Sequence, residues 1–512
     1  MLKAHSNVAL RLAESAERDG GRSAFVDTEG RIDYATLAAR AAAFARLFAE
    51  SARPDDRVAV FLERGSDAAA VLYGAYAAGA VAVVVNERYR PRQIEYVLRH
   101  SGAELLVTSQ QMLERLHRDI DTPARIVDVS TVGGDGHLAP ERRISPDLAQ
   151  IIYTSGSTGM PKGVVYTHGA LQAGIDAVVG YLGLLPSDRV ASLIPFSSVY
   201  GLNQLLTSVA CGAAVLVERS PVANQMVSAL AKLEATVLAA VPPLWIQLLG
   251  APSFVEGALG GLRLAQNAGG HLPPEIVRRV RAALPSTRLF LQYGMTETFR
   301  GTYLPPEELD RRPGSMGKAM PDTEIELVGE DGGEVRAGEV GEIVHRGPTL
   351  ALGYWGDPEG TQRTFRPNPL RPADAPAAER VVYSGDMARR DEEGFLYYVS
   401  RRERMIKSMG FRVGPDEIAD VLHASGEIAE TVIDAVADAE RGERIVAYVV
   451  LREGGSAQRL ERYCRAELPA YELPAEYVVR AELPRLASGK YDMEGLRLAG
   501  RGSEERKTTA RS

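Results

Sequence analysis

Cysteine is nearly absent from this chain of 512 residues, which carries only Cys211 and Cys464. The two lie far apart and outside any Cys-x-x-Cys or Cys/His ligand spacing, which excludes a disulfide framework and a thiolate zinc site. Blocks of basic charge are missing too. Lys and Arg total 59 against 67 Asp and Glu, the net charge is −8, and the basic residues are scattered, so nucleic acid is excluded as the expected partner. An apolar leader is also lacking, because Glu14, Glu17 and Asp19 interrupt the start; no export signal is expected and a reducing cytoplasm is the predicted location. The one long uncharged run, Ala68 to Val85, is mostly alanine with Gly74 and Gly79. It divides into an Ala-rich helical half and a Val-rich half, which predicts a buried helix-strand pair and no membrane span.

What is present is a large globular composition, with 45% apolar and 25% charged residues. The length exceeds what one hydrophobic core serves, so one large and one small domain are expected. Helical patterns such as YATLAARAAAFARLFAE alternate with short apolar strands, DRVAVFL, AVVV and AELLVTS, and then with VASLIPF, AAVLVE, ATVLAAVPP, LRLAQNAGG and STRLFLQYG. Such alternation predicts an α/β fold of βα-wound, mostly parallel sheets. From Thr323 to His345 two alternating runs flank Asp331-Gly332-Gly333, the pattern of an antiparallel hairpin and hence of a small β-structured subdomain. Residues 368–380, rich in Pro and Ala, read as a surface loop. After the charged stretch SRRERMIK a shorter α+β series begins, with helices PDEIADVLHAS and AQRLERYCRAEL and strands TVIDAVA and RIVAYVVL. The expected domains are residues 1–400, a mobile C-terminal domain over 401–500, and a disordered tail over 501–512.

The strongest chemical signal is Tyr153-Thr-Ser-Gly-Ser-Thr-Gly-Met-Pro-Lys-Gly163, directly after Ile151 and Ile152. Gly156, Gly159 and Gly163 allow close backbone approach, the hydroxyls of Thr154, Ser155, Ser157 and Thr158 can donate, and Lys162 supplies charge. Together they suit a polyphosphate. The spacing GxxxxGK[ST] of a Walker A loop is absent, and a flexible linker would need neither the flanking strand nor the Pro-Lys-Gly ending.

This loop resembles the phosphate-binding signature of the adenylate-forming superfamily: acyl-CoA synthetases, adenylation domains and beetle luciferases. The likeness continues in order through Tyr293-Gly-Met-Thr-Glu297, Gly353-Tyr-Trp, Tyr383-Ser-Gly-Asp386, Arg401, Lys407-Ser-Met-Gly410 and Ser488-Gly-Lys490. Within the family the stretches TETFRGTYLPPEELDRRPGSMGKAMP and YGLNQLL look most like acyl ligases associated with exosortase and polyketide gene clusters.

The resemblance implies roles. ATP is bound by Thr154, Ser155, Gly156, Ser157, Thr158, Gly159 and Lys162; adenine lies between Tyr293, with Gly294, and the tight backbone at Gly269 and Gly270; Asp386 accepts the ribose hydroxyls, with Arg401 assisting. Glu297, after Thr296, holds Mg2+ over the phosphates. Lys490 stabilises the charge that develops when the substrate carboxylate attacks the α-phosphate. Glu403 occupies the hinge position, about which the small domain turns to bring Lys407, Gly410 and Arg412 to the thioester step. Phe196, Ser198, Tyr200, Gly201, Asn267 and Ala268 belong to the acid pocket. Ser198 replaces a common histidine, Ser400 a glycine before Arg401, and Glu403 an Asp or Lys.

No acid occurs between Ala191 and Gln204 to hold an ammonium, so a fatty, hydroxy or aryl acid is expected. The implied reaction is AMP-forming ligation of a carboxylic acid to the thiol of CoA or to the phosphopantetheine of a carrier protein. The alternatives are an enzyme that loads only a carrier protein and a catalytically silent nucleotide- or acyl-binding protein. The resemblance is also compatible with a homodimer.

Overall fold

The computed structural model describes residues 6–497 except 29, 117–118, 135, 155–160, 373, 375–378, 409–410, 439–441 and 487–490, and it leaves the side chains of 403, 407, 411, 412, 437 and 438 undescribed. The 501–512 tail, Lys490, Gly410 and the centre of the glycine-serine loop therefore lie outside the described residues.

Apolar runs of four to seven residues form strands wherever the sequence predicts them, because strands covered by helices on both faces need no polar alternation. In the larger sheet, Leu264–Asn267 pairs in parallel with both Val237–Ala240 and Arg288–Tyr293, and Arg189–Ser192 pairs in parallel with Val237–Ala240 and Ala214–Val217. Nine strands make up this sheet. A seven-stranded sheet pairs Leu148–Thr154, Val81–Val84, Arg57–Phe61, Ala103–Thr108 and Arg125–Asp128 in parallel, with Lys162–Thr167 and Gly353–Tyr354 antiparallel at one edge. The chain does not fill one sheet before starting the next. Ser23–Val26 and Arg31–Asp33 join the nine-stranded sheet, although they precede every strand of the seven-stranded one.

The Ala68 to Val85 run is the expected pair, a helix Ser66–Ala77 whose residues from Ala68 onward are all buried and a strand Val81–Val84. Among the described residues no helix is long and apolar enough to cross a membrane. Cys211 and Cys464 are both buried and free.

The expected hairpin is present as Glu324–Val328 against Val340–Arg346, in a five-stranded sheet with Arg380–Arg390. Asp331-Gly332-Gly333 is not its whole connection. The Gly329 amide bonds to the Gly333 carbonyl, Val328 bridges Glu334, and the return strand begins only at Val340. Leu396–Arg401 is the last strand of this sheet, and Ile406–Ser408 is the first of a separate five-stranded C-terminal sheet flanked by the helices Pro415–Ala424 and Ala457–Glu467. The C-terminal core gathers Ile406, Ile418, Leu422, Ile445, Leu460 and Cys464.

Candidate active site

Parallel, in-register strands deliver their following loops to one edge of a sheet, which is where α/β folds bind ligands. Asn267 lies opposite Leu291, Ala240 opposite Asn267, and Leu238 opposite Ala191. Consequently Ala268-Gly269-Gly270, Gly294 to Glu297 and Ile194 to Gly201 all emerge at the same edge. Gly269 has φ of +81°, and a Cβ on Gly270 would lie 3.1 Å from Pro242, so the wall opposite Tyr293 is bare backbone. At Gly294 a Cβ would come within 2.9 Å of the Arg300 Cα. The 294–300 turn is closed on itself, and this projects Glu297 from it.

A series of polar groups runs through the described part of the site. Thr154 and Lys162 face each other across the last pair of the antiparallel strands that carry the glycine-serine loop. The Lys162 ammonium lies 5.4 Å from the centre of the Tyr354 ring. Tyr354 in turn donates its hydroxyl to Glu297 Oε1 at 2.7 Å. Beside it, the buried Tyr166 donates to the Thr296 carbonyl at 2.5 Å. The Glu297 charge is felt at both Asp386 and Arg401.

Asp386 is 3% exposed. It accepts the Tyr293 hydroxyl at 2.6 Å through Oδ2, and Arg401 Nε lies 2.8 Å from Oδ1. The arginine contact has ion-pair distance but not hydrogen-bond alignment, which leaves Oδ1 buried without a directed donor. Burial pushes the Asp386 carboxyl above the usual carboxylate range, with Arg401 and the Tyr293 hydroxyl pulling it back. Asp386 is not at the end of a strand. It is instead mid-strand in Arg380–Arg390, opposite Arg401, where Gly385 takes φ of +72° beside an irregularity in strand pairing. That irregularity turns the carboxylate toward Tyr293.

Tyr293 has one ring face on His345, with centroids 5.7 Å apart and planes at 18°, and Tyr398 is tilted at 34° on another side. His345 is enclosed, and burial drives its imidazole down to about 3; it is a neutral stacking partner.

In the acid pocket region Tyr200 and Ala268 pack together with Ile194 and Ala239, while Phe196 belongs to the main core. Asn267 donates Nδ2 to the Gly270 carbonyl and leaves Oδ1 unbonded. The Ser198 hydroxyl caps the helix Val199–Cys211 by accepting the Tyr200 amide at 3.3 Å, so this position serves the backbone. A Cβ on Gly201 would lie 2.1 Å from the Pro195 carbonyl oxygen.

Lys407 and Arg412 pair across the strands Ile406–Ser408 and Phe411–Val413, whose connection includes Gly410. Glu403 sits in the short helical turn Arg402–Arg404, and its neighbour Arg402 is held by the buried Glu342 at 3.0 Å. Two positions that sequence reasoning passed over join the site. Tyr354 stands in the quoted Gly353-Tyr-Trp, yet its bond to Glu297 spans 57 residues and has no local signal. His271, directly after the glycine pair, bonds Asp420 of the C-terminal helix with Nε2 at 2.9 Å from both carboxylate oxygens.

Residues 12–355 match the family described as AMP-binding enzyme, and residues 417–490 match the AMP-binding enzyme C-terminal domain. A long-chain-fatty-acid–CoA ligase of Bacillus subtilis is 27% identical over 505 residues, covering 90% of this chain and 88% of that protein. ATP-bound MatB from Rhodopseudomonas palustris has a similar structure, with a TM-score of 0.86 at 25% identity over 97% of this chain and 99% of that one. A benzoate CoA ligase from Burkholderia xenovorans superimposes with a TM-score of 0.85 at 26% identity, covering 96% and 99%.

Proposed function

The chain belongs to the AMP-binding enzyme family, and from that premise we propose that it joins a carboxylic acid to the thiol of CoA at the expense of ATP. The observation that carries this reading is the series of polar groups from Lys162 through Tyr354 and Glu297 to Asp386, ending on a buried carboxylate oxygen with no directed donor. A nucleotide laid along it would place its phosphates beside Thr154 and Lys162. Its ribose hydroxyls would then reach Asp386, where they would satisfy Oδ1.

In the first half-reaction a substrate carboxylate oxygen attacks the α-phosphorus, the bond from that phosphorus to the bridging oxygen breaks, and pyrophosphate leaves. Lys490 is assigned to this step, because a positioned ammonium offsets the repulsion between two anions. Glu297 is the described side chain suited to Mg2+. When bound, that cation supplies charge neutralisation over the phosphates. In the second half-reaction a thiolate attacks the acyl carbonyl and AMP departs.

Arg402, anchored on Glu342, marks the last fixed point before the C-terminal sheet. We propose a domain boundary just after Arg402 and the pivot at Glu403, with the Lys407 to Arg412 hairpin brought in for thioester formation. CoA is the favoured acceptor, in line with the relatives covered end to end. A carrier-protein pantetheine would use the same chemistry. We place the reaction in the cytoplasm, where two buried free thiols stay reduced. The test is acid-dependent release of pyrophosphate with and without CoA, followed by detection of the acyl thioester.

A further inference from the structure

Arg300 is the anomaly of the interior. It is 3% exposed, yet its Nε and Nη2 have no hydrogen-bond partner and no described carboxylate pairs with it. Its Cζ lies 4.2 Å from the centre of the Tyr200 ring, which gives the charge a π face but no anion. Around it the unmet polarity continues. Gln292, 4% exposed, has neither carboxamide atom in an aligned hydrogen bond, Gln266 leaves Oε1 unbonded, and the Tyr181 hydroxyl lies near Arg300 and Gln292 without alignment to either.

These groups share one chamber. Gln266 and Phe290 are register partners, and Gln292 follows Phe290 on the same strand face. Phe290 packs on Tyr181 at 6.3 Å, Tyr200 donates its hydroxyl to the Gln266 carbonyl at 3.1 Å, and burial raises the phenols of Tyr181 and Tyr200 while the Arg300 charge lowers both. The chamber adjoins the predicted acid pocket through Tyr200, and Arg300 follows Glu297 by three residues. It is thus on the acid side of the site and not on the nucleotide line.

A buried guanidinium without a counter-charge is strongly unfavourable, and the unaligned carboxamide of Gln292 and the bare Oε1 of Gln266 beside it add to the penalty. Packing alone would favour apolar residues at all three positions. An anionic group arriving with a ligand resolves the anomaly, since it can take the Arg300 fork and accept from Gln292. Resting on the ligase reading above, we propose that the acid substrate carries a second carboxylate at its far end, bound by Arg300 with Gln266, Gln292 and Tyr181 around it. The carboxylate that reacts is the one near Glu297. The same fixed positive charge excludes substrates with a distal ammonium.

Acid-dependent pyrophosphate exchange with the full-length protein tests this, using succinate, glutarate, adipate and suberate, each against the monocarboxylic acid of equal carbon count. The wild type is expected to favour one diacid by about 100-fold in kcat/KM. Arg300→Met removes that preference and changes the monocarboxylic acid by less than about threefold, while Arg300→Lys, which keeps charge but not the fork, recovers part of it. Both variants are checked for an unaltered unfolding temperature with ATP. Monocarboxylic acids favoured by the wild type, or a diacid preference that survives in Arg300→Met, overturns the proposal and leaves the ligase reading standing. If no acid supports exchange, the ligase reading fails; in that case an absence of diacid-induced thermal stabilisation overturns the second-carboxylate site as well, and stabilisation lost in Arg300→Met upholds it.

Discussion

The Tyr293 hydroxyl donates to Oδ2 of Asp386 at 2.6 Å, across 93 residues of sequence, and so ties the end of a nine-stranded sheet to the middle of a five-stranded one. Both side chains are assigned to the nucleoside, and the bond fixes the carboxylate that would receive the ribose. Asp386→Asn keeps the shape and loses the charged acceptor; KM for ATP rises roughly 10- to 100-fold with the fold intact by circular dichroism. Tyr293→Phe costs less, about threefold to tenfold in the same constant.

Glu297 is held by Tyr354 at 2.7 Å. Glu297→Gln lowers kcat for pyrophosphate release by about 100-fold or more and moves the magnesium requirement to higher concentration. Tyr354→Phe, which releases Glu297 without removing it, gives a smaller loss in kcat with the same direction of shift. A magnesium titration of initial rates separates the two effects.

Titration of two kinds of histidine sets the pH range of stability. Burial opposes the charge on His271, but Asp420, with Asp416 and Glu417 adding, outweighs it and holds the imidazole up at about 9. A raised value contributes stability that is complete below about 6.5 and is lost as pH rises through about 9. His345 and His423 are pushed down by burial to about 3 and about 4. Lowered values in a base have the opposite consequence, because the unfolded chain gains protons that the folded chain refuses once pH falls below about 6.5. Thermal unfolding temperature should therefore decline on both sides of neutrality, and His271→Asn should flatten the alkaline limb alone, by about 1 kcal/mol.

Gly201 lies in the first turn of the helix Val199–Cys211 beside the Pro195 carbonyl, and a Cβ there would stand 2.1 Å from that oxygen. Gly201→Ala forces the Ile194 to Ser198 loop away from the helix. It should destabilise the protein by about 1–3 kcal/mol and raise KM for the acid more than for ATP, as read by calorimetric unfolding and by steady-state rates.

Much of the architecture is legible in the residue pattern. Buried parallel strands are short apolar runs, and Gly or Pro punctuation separates them from helices with a three-to-four residue period. Partnership between strands is not written there: nothing in SAFV says that this strand joins Ala214–Val217, with RID outside it, and not the nearer Arg57–Phe61. The place of Asp386 in mid-strand is not legible, because the strand absorbs Gly385 at φ of +72° and continues. Tyr354 and His271 are found only through contacts 57 and 149 residues away. Arg300 is the extreme case, a single basic residue in TFRGTY whose meaning lies entirely in its burial and its missing partners.

Formation of an acyl-adenylate is measured most directly by carboxylate-dependent exchange of labelled pyrophosphate into ATP, run on the wild type and Lys490→Ala side by side. The expected result is exchange that requires both an acid and magnesium and that falls about 100- to 1,000-fold in Lys490→Ala, while the variant still converts a supplied acyl-adenylate to thioester. Exchange that survives the loss of Lys490, or its absence with every acid in the wild type, would contradict the account.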